Sequence, residues 1–161
     1  MSAGRVVAKL SELGVVLPTP AAPAANYIPF SKSGNQIHVA GQLPKIDDKL
    51  VLGKLGGNLT IDEGKAAAKA CIISFLAQLN AATGGNLDKI KKIVKINVFV
   101  NSTPDFVDQP QVANGASDFL VLALGDAGRH ARSAVGVASL PFGVAVEIDG
   151  IVEIDETSSN L

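Results

Sequence analysis

The stretch that most constrains this chain is 130–150, HARSAVGVASLPFGVAVEIDG. Residues 135–140 and 144–148 are small or apolar and read as two strands. Leu140-Pro141-Phe142-Gly143 joins them, and its proline and glycine mark a turn. Strand side chains alternate with period two. Val144, Val146, Ile148, Gly150, Val152 and Ile154 therefore share one face. Ala145, Glu147, Asp149, Ile151 and Glu153 share the other. Arg132 stands at the head of the first run, and Glu147 inside the second. If the two runs pair as a hairpin, this cation and this acid come close. The spacing permits that pairing without requiring it.

The rest of the chain supplies partners for these strands. Val6, Val7, Leu10 and Leu13 recur at helical spacing, with Gly14 as a stop. Pro18, Pro20 and Pro23 then enforce an extended arm, so residues 1–24 read as a short helix plus a proline-rich arm. The arm leads to Tyr27, the chain's one tyrosine. Residues 36–43 alternate as a half-buried strand: Ile37, Val39, Gly41 and Leu43 face one way, His38, Ala40 and Gln42 the other. Residues 27–33 are its expected hairpin partner, across the turn Ser33-Gly34-Asn35. Residues 45–58 read as a loop with a short strand near 50–52.

Thr60 and Glu63 have the spacing of a capping box, which predicts a helix over 60–82 ended by Gly84-Gly85. Its alanines imply close contact with a sheet. Residues 93–100 are β-branched and read as a strand, with Val94, Ile96, Val98 and Val100 on one side. Pro110 suits the first turn of a second long helix, which Gly125 ends. Gly115 weakens that helix by about 1 kcal/mol relative to alanine, which implies a close neighbour. Residues 157–161 have no pattern and read as a disordered tail. The order of elements predicts one α+β domain over 1–161, a mixed sheet with two helices on one face. The other face is left for a second copy of the chain.

Composition narrows the function. A chain of 161 residues can bury roughly 70% of its unfolded surface without a metal or disulfide staple. The net charge of −1 and the small basic cluster Lys89, Lys91, Lys92 and Lys95 argue against nucleic acid, which needs a concentrated basic surface. One cysteine, Cys71, within an apolar helical pattern, reads as a buried hydrophobe and excludes an internal disulfide. Two histidines and that cysteine make no metal-site spacing. No signal-peptide core or membrane-length apolar run is present, which points to the cytoplasm.

Three segments carry a family resemblance: AGQLP at 40–44, VKINVFVNSTPDF at 94–106 and ARSAVGVASLPFGVAVEID at 131–149. Over residues 25–153 the chain resembles the Rid family, also called YjgF-like and, in older usage, the L-PSP endoribonuclease family. The acid fifteen residues after the arginine is the most specific part. The resemblance implies a chorismate-mutase-like fold and a homotrimer with a central barrel, with ligand clefts between subunits. It implies hydrolysis of small enamines and imines bearing a carboxylate, to ketoacids and ammonia, without metal or cofactor. Residue by residue, Arg132 matches the arginine that clamps the substrate carboxylate, and Glu147 the acid near the attacking water. Tyr27 matches an aromatic at the cleft, Gly41 the glycine of the AGQLP strand, and Asn114 an asparagine of the second long helix. Ala134 stands where many members carry cysteine or threonine, at a position whose main chain holds ligand. The approach Gly128-Arg129-His130 and the extra N-terminal helix mark an outlying branch.

Each residue also has a duller reading. Arg132 suits a carboxylate because a planar guanidinium makes two parallel hydrogen bonds, but it equally suits a structural ion pair with Glu147 or another acid. Glu147 suits general-base work on water, or balances that charge. Tyr27 anchors the arm or covers a substrate. His38 and His130 read as satisfied histidines, although His130 shares a strand face with Arg132. Besides the deaminase, a trimeric protein that binds a ketoacid without turnover fits the same residues, and RNA cleavage follows only from the older family name.

Overall fold

The computed structural model describes residues 4–20, 22–23 and 25–156. The tail expected at 157–161 lies outside these residues. Helix α1 (Arg5–Glu12) comes first. The strands β1 (Phe30–Ser33) and β2 (Gln36–Gln42) form the expected hairpin, and the loop after them holds the small hairpin β3 (Lys45–Ile46) and β4 (Lys49–Leu50). Helix α2 (Ile61–Ala82), strand β5 (Ile90–Asn101), helix α3 (Gln109–Leu124), strand β6 (Ala131–Val137) and strand β7 (Val146–Ile154) follow. Five of the strands make one mixed sheet in the order β1-β2-β7-β5-β6. The expected α+β layering holds, with the short N-terminal helix beside the two long ones. Among the described residues, no helix is long and apolar enough to cross a membrane.

The long helix forms where its cap predicts. Glu63 N–H donates to Thr60 Oγ1 at 3.2 Å, and Thr60 N–H donates to Glu63 Oε2 at 3.2 Å. Ala67, Ala68, Cys71, Ile72, Phe75, Leu76 and Leu79 are buried under it, against β2, β7 and α3. Gly115 is the close crossing of α2 and α3: a Cβ there would lie 2.7 Å from the Lys65 carbonyl carbon. Helix α1 has a cap supplied from far along the chain. The Asp88 carboxylate accepts from Arg5 N–H at 2.8 Å and Val6 N–H at 2.9 Å. Those donors hold its carboxyl below the usual carboxylate range.

The structure corrects three expectations. First, the last two strands do not pair. Strand β6 runs parallel to β5 at the edge of the sheet, and β7 lies on the other side of β5, antiparallel to both β5 and β2. Parallel neighbours need a crossover, and α3 is that crossover. The Leu-Pro-Phe-Gly turn then carries the chain over the end of β5. Lys54 Nζ donates to Asn101 Oδ1 at 2.6 Å and to the Ala138 carbonyl, and Asn101 Nδ2 donates to the Val144 carbonyl at 3.0 Å, pinning the passage on both sides.

Second, β2 carries a bulge. Val39 pairs with Gly150 but Gln42 with Ile148, so three steps on β2 oppose two on β7. The extra residue inverts the alternation. Gln42 turns into the core, and Gly41 turns onto the open face, opposite to the assignment from strict alternation. Third, a bulge at Ile93/Lys95 puts Ile93 in the core and leaves Val94 half-buried.

Candidate functional site

The six residues singled out in the sequence fall into two groups, on opposite faces of the sheet. Arg132, Ala134 and Asn114 form the first. Arg132 pairs in register with Ile96 and Ala134 with Val98, both buried, so their side chains point to the helical face. There α3 lies over β6. Arg132 Nη1 donates to Asn114 Oδ1 at 2.9 Å and to Ser117 Oγ at 3.1 Å, and Nη2 donates to the Pro110 carbonyl at 3.4 Å. Asn114 and Ser117 are three apart on one helix, hence on one face of it.

Among the described residues the structural ion pair is not formed. Among them Arg132 has no carboxylate within ion-pair distance, and every oxygen that holds it is neutral. A guanidinium has five N–H donors, and three bonds leave two, on Nε and Nη2. Two adjacent N–H groups are what a planar carboxylate takes. The side chain is half-buried, fixed in place and lacks an anion of its own.

Gly41 and Glu147 form the second group, on the open face. Glu147 pairs in register with Phe99 of β5. A Cβ on Gly41 would overlap the Glu147 carboxylate and lie 2.9 Å from its Cδ. The glycine is therefore what lets Glu147 lie flat across β2. Among the described residues the Glu147 carboxylate has no hydrogen-bond or ion-pair partner. Burial, and then the charge of Asp149, push its carboxyl above the ordinary carboxylate range. Asp149 itself accepts from Asn97 Nδ2 at 2.7 Å. Tyr27 precedes the β1 end nearest this group, where Ala40 N–H donates to the Pro29 carbonyl at 2.9 Å. Tyr27 is 52% exposed.

Within one chain the two groups cannot meet. Strand β5 separates them, Arg132 is level with Gly150, and Glu147 lies three residues before Gly150 on β7. The offsets are roughly 10 Å across and 10 Å along, with the side chains on opposite faces. The intramolecular ion pair considered for Arg132 and Glu147 is thus excluded. The depressions lined by Arg5 and Asp88, and by Lys32 and Lys89, contain none of the six residues.

Sequence reasoning missed Ser117, whose only signal is its three-residue spacing from Asn114. It placed His130 on the Arg132 side of the strand, and the structure puts it there, satisfied at both ring nitrogens by Ser117 Oγ and the Gly128 carbonyl. His38 is exposed, with Gln36 Oε1 at 3.3 Å as its neighbour. Cys71 is fully buried, and burial pushes its thiol up, so it is inert as a nucleophile.

A family model described as "YjgF/chorismate_mutase-like, putative endoribonuclease" matches residues 5–148. The chain belongs to this family. Its relatives include Protein TCP17 of Trypanosoma cruzi, 54% identical over 96% of this chain and 98% of the relative. The crystal structure of Atu1372 from Agrobacterium tumefaciens, described as of unknown function, superposes with a TM-score of 0.88 at 48% identity, over 94% of this chain and 93% of that one. A more distant relative is the 2-iminobutanoate/2-iminopropanoate deaminase of Dermatophagoides farinae, 28% identical over 87% of this chain and 96% of the relative.

Proposed function

We propose that this YjgF-like chain assembles as a homotrimer and hydrolyses small imines and enamines that carry a carboxylate. The observation that carries the reading is Arg132: a half-buried cation, aligned by three neutral oxygens, with two N–H groups left for a guest acid. The division of the six residues into two groups supports assembly. A site that uses both needs Arg132, Asn114 and Ala134 from one copy and Gly41, Glu147 and Tyr27 from another. The deaminase relative supports the choice of reaction.

In this reading Arg132 grips the carboxylate of a 2-imino acid through a two-bond fork, worth roughly 1.5–3 kcal/mol for each hydrogen bond to a charged partner. The main chain at Ala134 borders the same edge, and Tyr27 covers the planar substrate. Glu147 of a neighbouring copy takes a proton from water as its oxygen adds to the C=N carbon. The imine nitrogen gains a proton, giving a carbinolamine. Collapse expels ammonia and forms the ketoacid C=O. Water enters, ammonia leaves, and no electrons are transferred to an external acceptor. A carboxyl raised above its ordinary range, by burial and by the charge of Asp149, is a stronger base than a free carboxylate and is suited to taking and returning that proton.

The test is Arg132→Ala assayed on 2-iminopropionate generated in situ. Loss of about 2 kcal/mol or more of carboxylate binding corresponds to a fall in kcat/KM of at least about thirtyfold. Undiminished turnover overturns the mechanism. Retention of ketoacid binding by the unaltered chain without any turnover favours a binding protein instead.

A further inference from the structure

Arg132 is not held by Asn114 alone. Ser117 Oγ stands between it and His130, 3.1 Å from Arg132 Nη1 and 2.9 Å from His130 Nε2. On the far side of the imidazole, Nδ1 lies 2.6 Å from the Gly128 carbonyl. A carbonyl only accepts, so Nδ1 carries the hydrogen. Partial burial, with the charge of Arg132, favours the neutral ring, and Nε2 is then bare and must accept. The Ser117 hydroxyl hydrogen goes to Nε2, which leaves its lone pairs for the guanidinium. One assignment of hydrogens satisfies every group in the chain Gly128, His130, Ser117, Arg132.

The frame of this chain is rigid. Gly128 lies so close to α3 that a Cβ would sit 2.6 Å from the Leu120 carbonyl carbon. The helix that carries Ser117 and Asn114 is thus fixed to the turn whose carbonyl orients His130. Both hydrogens of Nη1 are consumed by that helix, and the free N–H groups are confined to Nε and Nη2.

We propose that Ser117 and His130 are positioning residues of the Arg132 clamp, which hold its Nη1 edge so that a planar carboxylate is met by Nε and Nη2 in one orientation. This inference rests on the reading of Arg132 as the carboxylate clamp. It predicts selection for a carboxylate over its carboxamide, since two fixed donors face the guest and no acceptor does.

The experiment compares Ser117→Ala, Ser117→Thr, His130→Asn and His130→Gln with the unaltered protein on 2-iminopropionate generated in situ. Ser117→Ala and His130→Asn raise KM about tenfold, the loss of one charge-assisted hydrogen bond, with kcat little changed. Ser117→Thr keeps the hydroxyl, and His130→Gln keeps an acceptor in the place of Nε2; both stay near the unaltered KM. In an Arg132→Ala background, Ser117→Ala has no further effect. Side-chain NMR of the ligand-free protein reads the clamp directly: rotation of the Arg132 guanidinium is hindered in the unaltered protein and freed by Ser117→Ala and His130→Asn.

Equal guanidinium signals in all variants overturn the inference, whatever the turnover. So does an unmoved KM in Ser117→Ala and His130→Asn while Arg132→Ala abolishes activity, which leaves the function standing and removes only the positioning role. An active Arg132→Ala removes the function itself. A matching fall of His130→Asn and His130→Gln, with lowered melting temperature in both, assigns His130 to the fold alone.

Discussion

Replacing Gly41 by alanine separates folding from catalysis. The backbone at Gly41 is not in the left-handed region, so alanine fits its conformation. Loss of glycine's freedom in the unfolded chain stabilises by about 0.4–1 kcal/mol. Against this, the new Cβ occupies the space of the Glu147 carboxylate, 2.9 Å from Cδ and 3.2 Å from Cγ. These atoms are the flexible end of a half-exposed side chain, so they swing aside at a cost of about 0.5–1.5 kcal/mol in rotamer strain. The two effects nearly cancel, and the melting temperature of Gly41→Ala stays within a few degrees of the unaltered protein, since about 1 kcal/mol moves a domain of this size by roughly 2–4 °C. Catalysis does not share the compensation. A general base moved by an ångström or more loses much of its contribution of about 10²–10⁴. The assay is kcat on 2-iminopropionate beside a thermal melt. The expected outcome is an intact fold with kcat down by about tenfold to a hundredfold. Unchanged kcat with an unchanged melt refutes the role given to Glu147 and to the glycine beneath it.

Glu147→Gln keeps the shape and removes the base, so kcat falls by about 10²–10⁴ while ketoacid affinity is retained; calorimetric titration with 2-oxobutyrate checks the second half. The same carboxyl has a folded-state affinity for protons above its unfolded value. The folded chain then binds more protons than the unfolded one in the range just above the ordinary carboxylate value, so this group makes stability fall as pH rises through that range. Denaturant melts across it show a decline that Glu147→Gln flattens. Gly115→Ala drives a methyl group into the Lys65 backbone, which no side-chain rotation relieves, and lowers stability by about 1–3 kcal/mol in the same melts.

Much of the fold was legible because local chemistry encodes it. Thr60 and Glu63 announce a helix start, and Pro110 and Gly125 bracket another. The inward and outward faces of β7 follow from plain alternation. What misled was pairing. A turn of Leu-Pro-Phe-Gly reveals that the chain changes direction, not which strand it joins next, and here it steps over β5 instead of folding back. Bulges were equally hidden. No residue type marks the extra step between Val39 and Gln42, yet that step turns Gly41 from the core face to the face of Glu147. The candidate site residues were named one by one through family resemblance, while their grouping came from topology. Arg132 and Glu147 look like one cluster in sequence and lie on two faces in space. Ser117 was missed because a serine in a helix is common and its meaning depends on what lies across from it.

The division of the site between copies is most directly tested by mixing two impaired variants. Arg132→Ala and Glu147→Gln, each assayed alone at low substrate, keep at most about 3% of the unaltered activity. Unfolded together in equal amounts and refolded, they assemble at random. If each site draws Arg132 from one chain and Glu147 from its neighbour, about a quarter of the sites regain both residues, and activity recovers to about a quarter of the unaltered level. A mixture that stays as impaired as its components, in assemblies shown to contain both chains, contradicts a site shared between subunits.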